Sequence, residues 1–142
     1  MFDRILVAVD GSLDADAAVA AAVTIAKAEG SSVDICHAFH IPEHYRPDLA
    51  DATEDALRDD AQRTLDHAAR LAADAGVQTK QHIIEKGHPS EAVLALAGEL
   101  DASLIVLGVR GKSRDAVRPL GSVSAAVSQE ASCSVLLIRR KR

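Results

Sequence analysis

Hydrophobic residues fall along this chain in two alternating rhythms. Short unbroken apolar runs, such as "RILVAVD" at residues 4–10 and "ASLIVLG" at residues 102–108, carry no polar face. Runs of that kind are strands buried on both sides. Between them lie longer segments whose apolar residues recur three and four apart, the spacing of a helical stripe. Residues 13–29 place Val19, Val23 and Ala26 on one such face. Ser12 stands where an N-cap belongs, Asp14 and Asp16 complement the positive helix start, and Gly30 stops the helix.

The alternation continues. "SVDICHAFH" (residues 32–40) reads as a second strand, and "IPEHYRPDLA" as a proline-marked loop. A long helix is expected over about residues 51–75, with Leu57, Ala61, Leu65, Ala68 and Ala72 on one face and Gly76 at its end. "QTKQHIIEKG" (78–87) is a weaker third strand. "HPSEAVLALAGEL" (88–100) is a short helix with Pro89 in its first turn, where a missing N–H costs nothing. After the fourth strand, residues 122–130 are helical, and "SVLLIRR" (134–140) closes the chain as a fifth strand. This order predicts one α/β domain: a five-stranded, mainly parallel sheet with helices on both faces and right-handed crossovers. Ligands of such sheets sit at the carboxyl ends of the strands, where the strand order reverses. Asp10, Ala38 and Gly108 lie at such ends.

Composition narrows the picture. Aromatic residues make up only 2% of the 142 residues, so Ala, Val, Leu and Ile must build the core. A formal net charge of −5 argues against general nucleic-acid binding. No apolar run approaches the roughly 20 residues a membrane-spanning helix needs, and the apolar patch near the start is too short for a signal segment and has no small-residue cleavage site after it. These features lead to the expectation of a soluble, cytoplasmic protein. Cys36 and Cys133 stand alone in apolar stretches and read as small buried residues rather than a disulfide or zinc pair. His37, His40 and His44 share a face only on a helix, whereas this region reads as strand into loop, so a zinc site is disfavoured. The closing "RRKR" reads as a solvated end.

The chemistry concentrates in "LGVRGKSRDAVRPLGS", residues 107–122. Its "GVRGKS" is not a P-loop: Gly108 and Gly111 are two residues apart, not four, and no helix follows at once. A longer spacing is present, G-x2-G-x9-G-S, from Gly108 and Gly111 to Gly121 and Ser122. Glycines at a strand end admit close backbone approach or a turn, and a Gly-Ser pair at a helix start offers free amides to an anion. Arg110, Lys112, Arg114 and Arg118 add positive charge against Asp115 alone. From the residues alone, two readings fit: a phosphate cradle, or a solvated basic loop with turn glycines. Asp10 likewise either meets a ligand or satisfies the amides of its own Asp-Gly-Ser turn. A two-component receiver domain would need an Asp after the third strand, where this chain has Lys86 and Gly87. No G-x-S-x-G nucleophile elbow is present.

Taken in order, "RILVAVDGS", "GHPSEAVLALA", "ASLIVLGVRG", "LGSVS" and "CSVLLIRR" resemble the universal stress protein family, in its single-domain, ATP-binding form. The resemblance spans residues 1–142 and implies a Rossmann-like, adenine-nucleotide-binding sheet of strand order 3-2-1-4-5. Its signature is the same G-x2-G-x9-G-[ST] spacing. It implies that Gly108, Val109, Arg110, Gly111, Lys112, Ser113 and Arg114 wrap ribose and phosphates. Gly121, Ser122, Val123 and Ser124 would hold phosphates at the helix start. Asp10 would face the ribose or a Mg²⁺ or Mn²⁺ ion bridging the phosphates. Ala8 and Ala38 would wall the adenine, with backbone groups at the end of the second strand reading the base edge; some members have Pro at the first position, and Val is frequent at the second. The ligand implied is ATP, or ADP or AMP, in a stress-response or signalling protein. Hydrolysis is expected to be slow at most, because neither a general base nor an arginine finger is evident. The alternatives are an interaction module with a vestigial site or another ligand, such as AMP or a cyclic nucleotide, and an autophosphorylating protein with Ser122 or Ser124 as acceptor. The resemblance also implies a homodimer, two copies pairing through the closing strand from Ser134 to Arg139, which would hide a sheet edge.

Overall fold

The structure, a computed structural model, describes residues 1–39, 47–85, 87–110 and 120–140. Its elements run β1 (Arg4–Ala8), α1 (Leu13–Glu29), β2 (Ser32–Ala38), α2 (Pro47–Asp74) and β3 (Thr79–Ile84). Then come α3 (Pro89–Glu99), β4 (Leu104–Gly108), α4 (Ser122–Glu130) and β5 (Ser134–Ile138). The strands form one sheet in the order β3-β2-β1-β4-β5. Every neighbouring pair is parallel. The predicted fold class and strand order both hold.

Several boundaries differ from expectation. β1 ends at Ala8 rather than at Asp10, and β2 at Ala38 rather than at residue 40. An apolar run signals burial, and burial continues past the last ladder bond: Val9 and Phe39 are buried outside their strands. α2 starts at Pro47, before the expected residue 51, because proline is tolerated in a first helical turn. β5 ends at Ile138, leaving Arg139 and Arg140 exposed.

α1 shows why local sequence was readable. The Ser12 hydroxyl accepts the Ala15 N–H at 3.1 Å. Gly30 closes the helix at φ 71°, in the left-handed region that glycine favours. The helix buries Ala15, Ala18, Val19, Ala22, Val23 and Ala26, a stripe wider than Val19, Val23 and Ala26 alone. Small side chains let it lie close to the sheet.

The sheet divides the core in two. On the face of α1 and α2, Ile5, Val7, Val33, Ile35, Leu104 and Val106 pack with Val19, Leu65 and Ala72. On the face of α3 and α4, Leu6, Cys36, Ile105 and Leu107 pack with Val93, Ala97 and Val127. Along α2, Ala61, Leu65, Ala68 and Ala72 are buried as expected, and Leu57 is half-buried. Each fully buried Leu or Ile contributes about 1.5–3 kcal/mol of transfer free energy.

One charge is buried in the sheet. Asp34 is 1% exposed, and its carboxylate accepts from Arg4 Nε at 3.3 Å and His82 Nε2 at 2.7 Å. The three residues tie β1, β2 and β3 together, and the two donors satisfy a group that would be costly if left unpaired. No helix among the described residues is long and apolar enough to cross a membrane.

The cysteines part company. Cys36 is fully buried, and desolvation, with the Asp34 charge adding, pushes its thiol up to about 12. Cys133 is only partly buried, contrary to expectation, because it stands just before the edge strand β5. Partial burial raises its thiol as well. Titration of the native protein with a thiol reagent at pH 8 should therefore label Cys133 alone, and labelling in denaturant should count both. Modification of Cys36 without unfolding would contradict this burial.

Candidate functional site

Each parallel crossover returns the chain to the same edge of the sheet, so α1, α3 and α4 all begin near the carboxyl ends of the strands. There the structure holds a cavity of about 270 Å³. Its floor is Ala8, Val9 and Asp10 after β1, Ala38 at the end of β2, and Leu107, Gly108 and Arg110 at the end of β4. Ser12 and Ala15 of α1, Pro89 and Val93 of α3, and residues 120–124 leading into α4 form the walls. The cavity lies where the order reverses, between β1 and β4.

The walls are of two kinds. Ala8, Ala38, Leu107, Pro89 and Val93 are apolar and suit a flat ring. The start of α4 is polar. Gly121 is its N-cap, at φ −64° and ψ 155°, and offers no side-chain cap. The first-turn amides of Ser122, Val123 and Ser124 thus receive no acceptor from the N-cap side chain, at the positive end of the helix dipole. Arg110 lines the same cavity, and its Nε is buried without a hydrogen-bond partner among the described residues. A buried guanidinium N–H left unpaired is unfavourable unless an acceptor arrives.

Asp10 does what its turn requires. Gly11 stands at φ 83°, and Asp10 Oδ1 accepts the Ser12 N–H at 2.9 Å. The carboxylate still lines the cavity. Among the described residues, no group of three His, Cys, Asp or Glu could hold a metal. Mg²⁺ or Mn²⁺ here would take most of its oxygens from a phosphate and water, with Asp10 as the protein ligand.

Gly108 has a reason that the sequence did not show. It is not a positive-φ glycine. A Cβ built there would stand 2.7 Å from Asp14 Cβ and 3.0 Å from the Asp14 carbonyl carbon. The first turn of α1 therefore lies directly on the end of β4. Asp14 Oδ2 also accepts the Arg110 N–H at 3.3 Å, holding the chain as it leaves the strand.

Of the residues singled out by the sequence, Ala8, Asp10, Ala38, Gly108, Arg110, Gly121, Ser122, Val123 and Ser124 all line the cavity. Val109 does not. Its N–H donates to the Ile138 carbonyl and its own carbonyl accepts the Gly121 N–H, both at 2.9 Å, so it belongs to the sheet and the turn into α4. The Ser124 hydroxyl donates to the Gly108 carbonyl at 2.6 Å and is 4% exposed. Its proton is spent on packing α4 to β4. Gly111, Lys112, Ser113 and Arg114, with Arg118, lie outside the described residues. So do His40 and His44, while His37 Nδ1 is engaged by the Val9 carbonyl at 2.7 Å. Ser12, Ala15, Pro89 and Val93 were missed as lining residues. Their signal was topological: in a parallel α/β sheet every helix begins at the ligand end.

The comparisons agree with this architecture. The model of the universal stress protein family matches residues 1–139. This chain belongs to the universal stress protein family. The universal stress protein YxiE of Bacillus subtilis is 35% identical, over 98% of this chain and 100% of its own length. Among solved structures, a universal stress protein in complex with cAMP matches at TM-score 0.76 and 30% identity, covering 96% of this chain and 97% of its own. The universal stress protein from Archaeoglobus fulgidus in complex with dAMP matches at TM-score 0.71 and 26% identity, again covering 96% and 97%.

Placing a methyl group at position 108 should act through packing. Gly108→Ala must push Asp14 and the first turn of α1 off β4. The expected cost is about 1–3 kcal/mol, lowering the melting temperature by roughly 3–10 °C. Thermal unfolding followed by circular dichroism would measure it; an unchanged midpoint would refute the close approach.

Proposed function

We propose that this universal stress protein binds an adenine nucleotide in the cavity at the carboxyl ends of β1, β2 and β4. The observation that carries the reading is the meeting of two unsatisfied donor sets on one small cavity. These are the first turn of α4, which its N-cap side chain leaves uncapped, and the Nε of Arg110, which has no partner among the described residues. Both await an anion, and the opposite wall is apolar. A nucleotide has that division of character, with phosphate at one end and a flat base at the other. The relatives solved with cAMP and dAMP support the same ligand class.

In this reading the base lies against Ala8, Ala38 and Leu107, the ribose passes Asp10, and the phosphates meet Gly121, Ser122, Val123 and Ser124. Backbone amides supply most of the phosphate contacts, and Arg110 adds charge. Gly111, Lys112, Ser113 and Arg114 complete the cradle. The ligand we favour is ATP, with ADP or AMP in the same site, and Mg²⁺ or Mn²⁺ shared between phosphates and Asp10. Among the described residues the cavity lining holds no histidine, glutamate or lysine to activate water, and we expect hydrolysis to be slow at most. The role is then nucleotide sensing in a stress response or signalling, within a single cytoplasmic domain. A second reading replaces ATP by a cyclic nucleotide, and the cAMP-bound relative favours it.

Isothermal titration with ATP and Mg²⁺, AMP and cAMP separates these ligands, and the absence of heat at millimolar concentration of all three removes the proposal. The backbone of Gly121 suits any residue, so Gly121→Val should retain the wild-type melting temperature while its side chain fills the cavity and abolishes binding. Binding by that variant would move the ligand elsewhere.

We further propose a homodimer through β5, using Ser134 to Arg139. β5 is an edge strand whose Val135, Leu136, Leu137 and Ile138 are only partly buried. Light scattering coupled to gel filtration should give twice the chain mass, and Leu136→Lys should give a monomer. A monomeric wild type would refute it.

A further inference from the structure

We infer that His37 is a positioning residue that holds the backbone of Ala38 open for the base. The inference rests on the nucleotide reading above. In a parallel ladder, alternate residues of a strand send both backbone groups to the same side. The Phe39 N–H donates to Ile84 of β3, whereas the Cys36 carbonyl accepts the Val9 N–H from the β1 side. By that alternation Ala38 directs its N–H and its carbonyl toward the β1 side. Continuing the ladder would give its N–H to the Val9 carbonyl. That bond does not form; the Val9 carbonyl is taken by His37 Nδ1 at 2.7 Å. A carbonyl only accepts, so Nδ1 carries the proton, in the neutral tautomer and in the imidazolium alike. His37 lies on the α1 and α2 face with Val33 and Ile35. Its side chain thus takes the ladder acceptor from the face away from Ala38 Cβ, and leaves the cavity side clear.

The consequence is a donor and an acceptor side by side on a cavity wall, without backbone partners toward β1 among the described residues. β1 has ended at Ala8, so no strand covers them. Adenine carries the matching pair on its Watson–Crick edge: N1 accepts and the N6 amino group donates. Guanine in the same pose presents the reverse, N1–H against N–H and O6 against the carbonyl. His37 therefore sets base preference without touching the ligand. Without it, the Ala38 N–H closes onto Val9, and adenine loses its donor.

The test compares AMP and GMP titrations of wild type, His37→Leu and His37→Asn. The Asn Nδ2 stands the same number of bonds from the backbone as the imidazole Nδ1 and restores the clasp. Wild type should prefer AMP. His37→Leu should weaken AMP about five- to tenfold, the worth of one hydrogen bond, while leaving GMP unchanged. His37→Asn should stay within twofold of wild type for both. AMP affinity unchanged in His37→Leu, or an equal loss for AMP and GMP, overturns the inference. A measurement on wild type alone covers the case in which His37→Leu fails to fold. In the free protein the Ala38 amide should exchange with solvent much faster than that of Phe39, and AMP should slow it at least tenfold. A protected Ala38 amide without ligand overturns the clasp. A wild type that binds neither nucleotide instead removes the parent reading, a result distinct from either of these.

Discussion

Everything in this molecule is hung on β1. It is the middle strand, bonded to β2 on one side and β4 on the other, and apolar on both faces. It is also short. Ala8 pairs with Cys36 and Leu107, so β2 runs two residues past it and β4 one residue past it. The overhang makes the crevice. The chain must then leave β1 sharply, through Gly11 at φ 83°, to begin α1. That turn brings Asp10 and Ser12 to the mouth of the space the short strand has opened.

Packing and chemistry share residues at this end of the sheet. Gly108 belongs to a glycine spacing associated with ligands, yet the clash it avoids is with Asp14 of α1. Ser124 stands where a phosphate would be held, yet its hydroxyl fastens α4 to the Gly108 carbonyl. Asp14 does the same service for the Arg110 N–H. The groups that fix the cavity's shape are thus spent on one another, and among the described residues those left over include first-turn amides of α4, the Arg110 guanidinium and one oxygen of Asp10. Three helix starts aim their positive ends at the same place, in a chain of net charge −5. Helix starts of this kind favour an anion within their first turn, which the net charge of the chain as a whole does not. Away from the cavity, polar groups serve the fold instead. Asp34 with Arg4 and His82 fixes three strands together, and no ligand is needed to explain it.

Much of this was legible beforehand, for identifiable reasons. The strand and helix order followed from unbroken apolar runs and 3.6-residue stripes, because burial on two faces and on one face leave different patterns. The Ser12 and Gly30 caps were legible because capping depends on neighbours within four residues. What failed were features decided across the chain. Cys133 looked buried by its neighbours but stands beside an edge strand. Val109 sits inside the glycine motif, yet both its backbone groups are taken, by Ile138 and Gly121. Pro89 and Val93 carry no local mark of a site.

The sequence by itself determined the elements, their order, the family and the stretch that carries the chemistry, since those depend on periodicity, local capping and glycine spacing. Only the tertiary structure decided which groups remain unsatisfied. It paired the Ser124 hydroxyl, engaged one oxygen of Asp10, gave the Val9 carbonyl to His37 and left Arg110 Nε without a partner among the described residues. The reason is physical. Whether a polar group is spent or available depends on what lies within about 3 Å of it, and most of those neighbours come from distant parts of the chain.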